Sequence, residues 1–157
     1  MKLRTGQGID FHRLEKGLKL YLGGLLIPSE KGCVAHSDGD VLIHAICDAL
    51  LGAAALGDIG HHFPDTSQEF KNIDSKILLK KTFQLVKEKG YRIINIDSTV
   101  CLEKPKIAAY IPEMRTILSE ILETTTDDIS IKATTAEKMG YIGREEGVVA
   151  LASVLLK

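Results

Sequence analysis

The chain has 157 residues, of which 45% are hydrophobic and 26% are charged, and its formal net charge is −1. This length is enough for one domain with one hydrophobic core. The near balance of 20 basic and 21 acidic residues lacks the basic excess that is typical of nucleic-acid-binding proteins. We therefore expect a single domain over residues 1–157 that does not bind nucleic acid.

The sequence also indicates a cellular location. Its three cysteines are scattered, and none stands in a Cys-x-x-Cys pair, which argues against a disulfide framework and fits a reducing compartment. No apolar run approaches the roughly 20 residues of a membrane span. We expect a cytoplasmic protein without a signal or transit peptide and without a membrane partner, or the mature form of an organellar protein.

Hydrophobic periodicity and turn residues predict a mixture of strands and helices. The elements are, in chain order, a strand over residues 3–11, a hairpin over 18–29, a loop over 29–40, a helix over 40–57, a polar loop over 58–67, a helix over 75–90, a strand over 91–103, a helix over 111–122, and strands over 128–135 and 147–157. Gly23-Gly24 fits a two-residue hairpin turn, Asp40 fits a helix cap and Gly57 a helix end. The order lacks strict alternation of strand and helix. It predicts an α+β fold with a mixed four-stranded sheet and helices packed on one face.

The most informative short motif is Gly-Ile-Asp-Phe-His at residues 8–12. Side chains two positions apart on a strand point to the same side, so Asp10 and His12 can bind one object. His44, in the middle of an apolar helix, is the candidate third ligand, although a histidine there can also be an ordinary core residue. We expect Asp48, four residues later on the same face, to accept the second ring N–H of His44. Three such ligands are typical of a catalytic zinc site with an open fourth position.

Two further segments carry groups that suit phosphates. His36 and Ser37 precede the helix over 40–57, whose free N–H groups favour anions, although capping alone also explains residues of this type there. Near a strand end, Thr134 and Thr135 offer hydroxyls, and Glu137 could hold a Mg²⁺ ion that bridges phosphates. The residues alone thus indicate a metal-dependent enzyme that acts on a phosphorylated small molecule.

Three segments together closely resemble the 2-C-methyl-D-erythritol 2,4-cyclodiphosphate synthase family. They are GIDFH at 8–12, AHSDGDVLIHAICDALLGAAALGDIGHHFPDT at 35–66 and IKATTAEKMGYIGREEG at 131–147. The resemblance implies a phosphorus–oxygen lyase of the non-mevalonate isoprenoid pathway. Such an enzyme closes 4-diphosphocytidyl-2-C-methyl-D-erythritol 2-phosphate into 2-C-methyl-D-erythritol 2,4-cyclodiphosphate and releases CMP. It also implies a homotrimer with its sites between subunits.

The resemblance assigns roles to individual positions. It implies one Zn²⁺ per subunit on Asp10, His12 and His44, and Mg²⁺ or Mn²⁺ on Glu137. It implies transition-state stabilisation by His36 and Thr135. The implied substrate contacts include Asp10, His12, His36, Ser37, Thr135 and Glu137. The implied methylerythritol contacts are Asp58, Ile59, Gly60, Phe63, Pro64, Asp65, Thr66 and Ser67. The implied cytidine contacts are Leu102, Glu103, Lys104, Pro105, Lys106, Ile107, Ala108, Ala133 and Thr134, with Tyr141 and Arg144 nearby.

Two other functions stay open on the sequence. A zinc-dependent phosphoester hydrolase would use the same three ligands, but it would use water as the nucleophile and form a linear product. A trimeric module that binds isoprenoid diphosphates would use Arg144 and Glu146 beside the apolar Ile142. Because such binding does not need a metal, it should survive chelation.

Overall fold

A computed structural model describes residues 2–157. The strands are β1 (Arg4–Lys16), β2 (Leu20–Leu22), β3 (Leu25–Ile27), β4 (Lys31–Val34), β5 (Ile93–Cys101), β6 (Ile129–Thr134) and β7 (Gly147–Leu156). The helices are α1 (Val41–Ala53), α2 (Ile59–His62), α3 (Ser75–Glu88), α4 (Ile111–Ile121) and α5 (Gly140–Gly143). No helix in residues 2–157 is both long enough and apolar enough to cross a bilayer.

The main sheet has the strand order β4-β1-β7-β5-β6. Only the β5–β6 pair is parallel, so the sheet is mixed. Helix α1 packs on β1 and β7, α4 packs on β6, and α3 packs on α1. Buried side chains of β7 face this layer, whereas the opposite face exposes Ile9, Phe11 and Leu151. The predicted α+β fold with helices on one face is therefore confirmed.

The predicted number of four strands is wrong, because the sheet has five. The extra strand is β4, in the segment 29–40 that we expected to be a loop. It pairs antiparallel with Arg13–Lys16, the part of β1 beyond the predicted end of that strand. The four residues Lys-Gly-Cys-Val show no alternation of polar and apolar side chains. Pairing with β1 therefore decides their conformation, and local preference does not.

The other elements follow the predictions closely. Gly23 and Gly24 have φ angles of +60° and +81°, as a tight hairpin turn requires. The carboxylate of Asp40 caps α1 by accepting a hydrogen bond from the Ile43 N–H. It also accepts hydrogen bonds from the N–H groups of Gly23 and Gly24, so one buried side chain joins the hairpin to α1. The helix ends at Ala53, before the predicted end at Gly57, because Ala55 adopts a positive φ of 56°.

The contact between β1 and α1 is unusually close, and it positions the candidate site. Gly6 and Gly8 face the helix without side chains. A Cβ atom added to Gly8 would lie 2.0 Å from the carbonyl oxygen of Ala45, and one added to Gly6 would lie 1.9 Å from that of Ala49. Asp10 and His12 follow Gly6 and Gly8 on the same face of β1. The close contact between β1 and α1 therefore brings His44, the neighbour of Ala45, to both side chains.

Candidate active site and metal centre

Three side chains from β1 and α1 converge on one point. His12 Nε2 lies 2.9 Å from Asp10 Oδ2, and His44 Nδ1 lies 3.1 Å from both of these atoms. A tetrahedral zinc ion with bonds of about 2.0–2.1 Å needs ligand atoms about 3.3 Å apart, close to this triangle. Within the described residues this is the one group of three that could hold a metal ion. The donor set and its geometry therefore fit a divalent metal, as the sequence predicts.

The neighbouring strand orients one of these ligands. His12 Nδ1 lies 3.3 Å from the carbonyl oxygen of Val34 in β4. A carbonyl oxygen only accepts hydrogen bonds, so Nδ1 carries the proton of the neutral ring, and Nε2 keeps the lone pair that a metal ion at this point would bind. The strand that we did not predict thus supplies the group that sets the His12 ring.

The cluster is strongly coupled electrostatically. Burial alone would raise the pKa of Asp10, but its close contacts with the His12 and His44 rings outweigh burial and hold that pKa well below its usual range. Burial lowers the pKa of His12, but Asp10, the Val34 carbonyl and Asp40 together raise it by more. Asp10 is therefore ionised at neutral pH, as a metal ligand must be.

The expected partner of His44 is wrong. Asp48 Oδ1 accepts a hydrogen bond of 2.7 Å from the N–H of Ile59, and its pKa is raised by burial. His44 Nε2 instead lies 2.9 Å from Ser75 Oγ and 3.2 Å from Ser37 Oγ. The physical reason is that helical side chains tilt toward the helix N-terminus, which directs the His44 ring away from the following turn and Asp48.

The metal ligands open onto a cavity of about 500 Å³. Predicted site residues that line it, besides the three ligands, are His36, Ser37, Ile59, Gly60, Phe63, Pro64, Asp65 and Thr66. The structure therefore brings together most of the expected methylerythritol contacts and the metal cluster. Asp58 is not among the lining residues, because its carboxylate caps α2 by accepting from the N–H of His61.

His36, which lines this cavity, is held by a backbone carbonyl. Its Nε2 lies 3.0 Å from the carbonyl oxygen of Ser67, so Nε2 is the donor in that contact. Nδ1 is then the nitrogen that is free to meet a phosphate. It can donate a hydrogen bond there only when the ring carries both protons.

A second cluster lies where β5 and β6 end. The N–H of Leu102 donates to the carbonyl oxygen of Thr134 at 3.0 Å, and the N–H of Ala136 donates to Glu103 Oε2 at 3.2 Å. Thr135 Oγ1 lies 3.3 Å from Glu137 Oε1. The expected cytidine segment over 102–108 is thus joined to the hydroxyl and carboxylate that the sequence predicts for phosphate and Mg²⁺.

The two clusters do not meet within one chain. Thr134 pairs with Cys101, Cys101 with Val149, and Val149 with Phe11. Three strand spacings therefore separate the second cluster from the segment of β1 that carries Asp10 and His12, a distance of about 14 Å along the sheet.

The predicted residues Tyr141 and Arg144 lie beside the start of β7. Tyr141 packs against Gly147, where an added Cβ would lie 2.9 Å from the tyrosine ring. Arg144 forms two contacts with the carboxylate of Glu146, at 2.9 and 3.2 Å. The guanidinium of Arg144 thus already has an anionic partner within its own chain.

Sequence reasoning missed several residues of the site. Phe70, Ile73 and Leu78 line the cavity, and Ser75 contacts His44 directly. The apolar side chains carry no signal that separates them from core residues. Ser75 follows the cap residue Asp74 at the start of α3, where a serine is expected for reasons of helix formation alone.

The mixed sheet and the Asp–His–His cluster define the class, which is an α+β domain with a candidate divalent-metal centre. The model of the YgbB family matches residues 3–157. A Bacteroides fragilis protein named 2-C-methyl-D-erythritol 2,4-cyclodiphosphate synthase is 60% identical over 99% of this chain and 98% of its own length. A Saccharophagus degradans protein of the same name is 54% identical over 99% of this chain and 100% of its own length.

Solved structures agree with these relatives. The bifunctional IspDF of Campylobacter jejuni superposes with a TM-score of 0.96 at 45% identity, over 99% of this chain and 42% of that longer chain. A 2C-methyl-D-erythritol-2,4-cyclodiphosphate synthase in a CDP-bound form gives 0.91 at 40% identity, over 98% of this chain and 100% of that chain. The chain belongs to the YgbB family.

Proposed function

We propose that this protein is a 2-C-methyl-D-erythritol 2,4-cyclodiphosphate synthase. It converts 4-diphosphocytidyl-2-C-methyl-D-erythritol 2-phosphate into the cyclic diphosphate and CMP, in the non-mevalonate isoprenoid pathway and in the cytoplasm. The observation that carries the proposal is the 2.9–3.1 Å triangle of Asp10, His12 and His44. It opens onto the same cavity as the segment over 59–66, in a chain whose relatives bear this name.

The metal in this proposal is zinc, held by Asp10, His12 and His44. Two imidazoles and one carboxylate are a donor set that zinc accepts, with the fourth position left for substrate. When bound, the ion supplies Lewis acidity toward a phosphate oxygen. The protein fixes its ligands through β1, α1 and the Val34 carbonyl, so little reorganisation accompanies binding.

The chain's own residues position the substrate and donate hydrogen bonds to it. The nucleophile is a phosphate oxygen that is already ionised at neutral pH, so the reaction needs no strong general base. It needs alignment of two anionic groups and neutralisation of their charge. His36 can donate from Nδ1 when its ring carries both protons, and Thr135 can donate from its hydroxyl, as charge develops on phosphorus-bound oxygens. Ser37 and the segment over 58–67 hold the methylerythritol.

The second cluster serves the nucleotide end of the substrate. Glu137, which is exposed, would hold Mg²⁺ or Mn²⁺, and such an ion would supply positive charge against the phosphates of the substrate. The segment over 102–108, together with Ala133 and Thr134, would receive the cytidine. Tyr141 and Arg144 add contacts beside it. One solved relative is described as a bound form with CDP, which supports a nucleotide site in this fold.

The complete site lies between the subunits of a homotrimer in this proposal. The outer sheet face exposes 49% of Ile9, 55% of Phe11 and 37% of Leu151, and an apolar surface of this kind favours burial against another subunit. The separation of about 14 Å between the clusters within one chain also favours a site made from two chains. A head-to-tail ring of three would place the first cluster of each subunit beside the second cluster of the next.

Mixing two inactive variants tests function and assembly together. His44→Ala removes a ligand from the first cluster, and Glu137→Ala removes one from the second, so each variant alone should release no CMP. Trimers formed by co-refolding equal amounts should regain about a quarter of the wild-type rate, because a random ring joins two intact clusters at that fraction of its interfaces. As a control, His44→Ala mixed with Asp10→Asn should stay inactive. No recovery in the first mixture would contradict a site shared between subunits.

A further inference from the structure

One buried hydroxyl connects the metal cluster to the start of α3. Ser75 is fully buried, and its Oγ lies 2.9 Å from His44 Nε2. The same Oγ is in short contact with Asp38 Oδ1, and the backbone N–H of Ser75 donates to Asp38 Oδ2 at 2.9 Å. Asp38, Ser75 and His44 thus form a continuous chain of polar contacts that ends at a candidate metal ligand.

The position of each proton in this chain follows from counting donors and acceptors. An ionised carboxylate only accepts, so the single hydroxyl proton of Ser75 points to Asp38. Ser75 Oγ can then only accept from His44, which places a proton on Nε2. Nδ1 is left with its lone pair, and Nδ1 is the atom that lies 3.1 Å from Asp10 Oδ2 and His12 Nε2. Ser37 Oγ, at 3.2 Å, is the more distant neighbour of Nε2.

We propose that Ser75, oriented by Asp38, is a positioning residue that sets the tautomer and the ring orientation of His44. Ser75 does not touch substrate or metal; it acts through the imidazole. The inference rests on the proposed metal site, since it concerns how one of its ligands is prepared. The partner of His44 is thus Ser75, which lies 31 positions away in the chain, and not Asp48 on the same helix.

Asp38 also fixes the position of Ser75 relative to His44. The N–H of Asp38 donates to the carbonyl oxygen of Ile73 at 3.0 Å, and the carboxylate accepts both donors of Ser75 at the N-terminus of α3. The loop before α1 and the first residue of α3 are therefore held together on one side of the His44 ring. Such outer partners of metal-bound histidines typically contribute 10–100-fold to metal affinity, and we expect an effect of about this size here.

The test compares Ser75→Ala with a matched variant one residue earlier. Asp74→Ala removes the cap of α3, since Asp74 accepts from the N–H of Lys76, but it leaves the contact to His44 in place. Zinc dissociation constants of the full-length protein are measured by competition with a chelator. Long-range ¹H–¹⁵N spectra of the zinc-free protein report which nitrogen of His44 carries the proton. A purely structural role of this helix start would make both variants behave alike.

We expect Ser75→Ala to weaken zinc binding by about 10–100-fold and to lose the sharp Nε2–H signal of His44. We expect Asp74→Ala to keep both properties. Asp38→Ala should resemble Ser75→Ala, because it frees the hydroxyl to donate to Nε2; this second variant serves if Ser75→Ala does not fold. Wild-type zinc affinity in Ser75→Ala, or a wild-type His44 protonated on Nδ1, would overturn the inference. Wild-type zinc binding by His44→Ala would instead overturn the metal site itself.

Discussion

Replacing Gly8 by alanine adds one methyl group and changes no polar side chain, yet we expect it to disrupt the metal centre. The added Cβ would lie 2.0 Å from the carbonyl oxygen of Ala45, where ordinary contact begins near 3.4 Å. The chain must therefore separate β1 from α1 by about 1.4 Å at this point, a shift far larger than the roughly 0.2 Å within which metal–ligand distances are held. Because His44 adjoins Ala45, its Nδ1 leaves the triangle with Asp10 and His12.

The expected loss of stability follows from the same clash. Overpacking of this kind costs about 1–3 kcal/mol, and each kcal/mol lowers the unfolding temperature by about 2–4 °C in a chain of this size. Gly8→Ala should therefore unfold at a lower temperature than wild type, and it should also bind zinc much more weakly in competition with a chelator.

Gly52→Ala is the matched control. Gly52 lies within α1, and its added Cβ would meet nothing closer than the carbonyl oxygen of Gln7 at 4.0 Å. Alanine in a helix interior is favoured over glycine by about 0.5–1 kcal/mol, so this variant should be more stable and bind zinc normally. If Gly8→Ala keeps wild-type stability and zinc affinity, the account of the β1–α1 contact is wrong.

Three further predictions concern the site itself. Asp48→Ala should keep wild-type zinc affinity but raise the KM, since it removes the acceptor that holds the N–H of Ile59 and does not touch His44; a loss of zinc would instead support Asp48 as the partner of His44. Thr135→Ala should lower kcat by about 10²–10³-fold, as loss of a donor to developing charge does, with a smaller change in KM; the opposite pattern would make Thr135 a binding residue. Zinc affinity should fall as the pH falls, because protons compete with zinc for His12. Burial lowers the pKa of His12, but Asp10, the Val34 carbonyl and Asp40 together raise it by more, so the decline should begin at a higher pH than for an ordinary histidine. An affinity that does not change with pH between about 5 and 8 would contradict this coupling.

Some features of this fold depend on local sequence, and others depend on pairing between distant segments. The helices α1, α3 and α4 follow from apolar periodicity with caps and stops, and the convergence of Asp10 and His12 follows from the period of a strand. The strand β4 could not be predicted, because only its pairing with β1 makes Lys31–Val34 extended. Helical spacing predicts Asp48, on the same helix, as the partner of His44, whereas the fold supplies Ser75 from α3.

The separation of the two clusters also lies beyond sequence reasoning. No local sequence pattern predicts that Thr135 and Glu137 lie three strand spacings from Asp10 and His12, because that distance depends on the strand order of the sheet. The same strand order leaves Phe11 exposed on the open face of the sheet. Both observations depend on topology, and both support the proposed assembly.

The most direct test of the central claim is ³¹P NMR of the purified protein. The sample holds 4-diphosphocytidyl-2-C-methyl-D-erythritol 2-phosphate and Mg²⁺, with and without a chelator. The account predicts that CMP and a cyclic diphosphate appear together and that the chelator abolishes both. CMP accompanied by a linear diphosphate would show that water is the nucleophile, and the absence of turnover in folded, zinc-loaded protein would contradict the proposed activity.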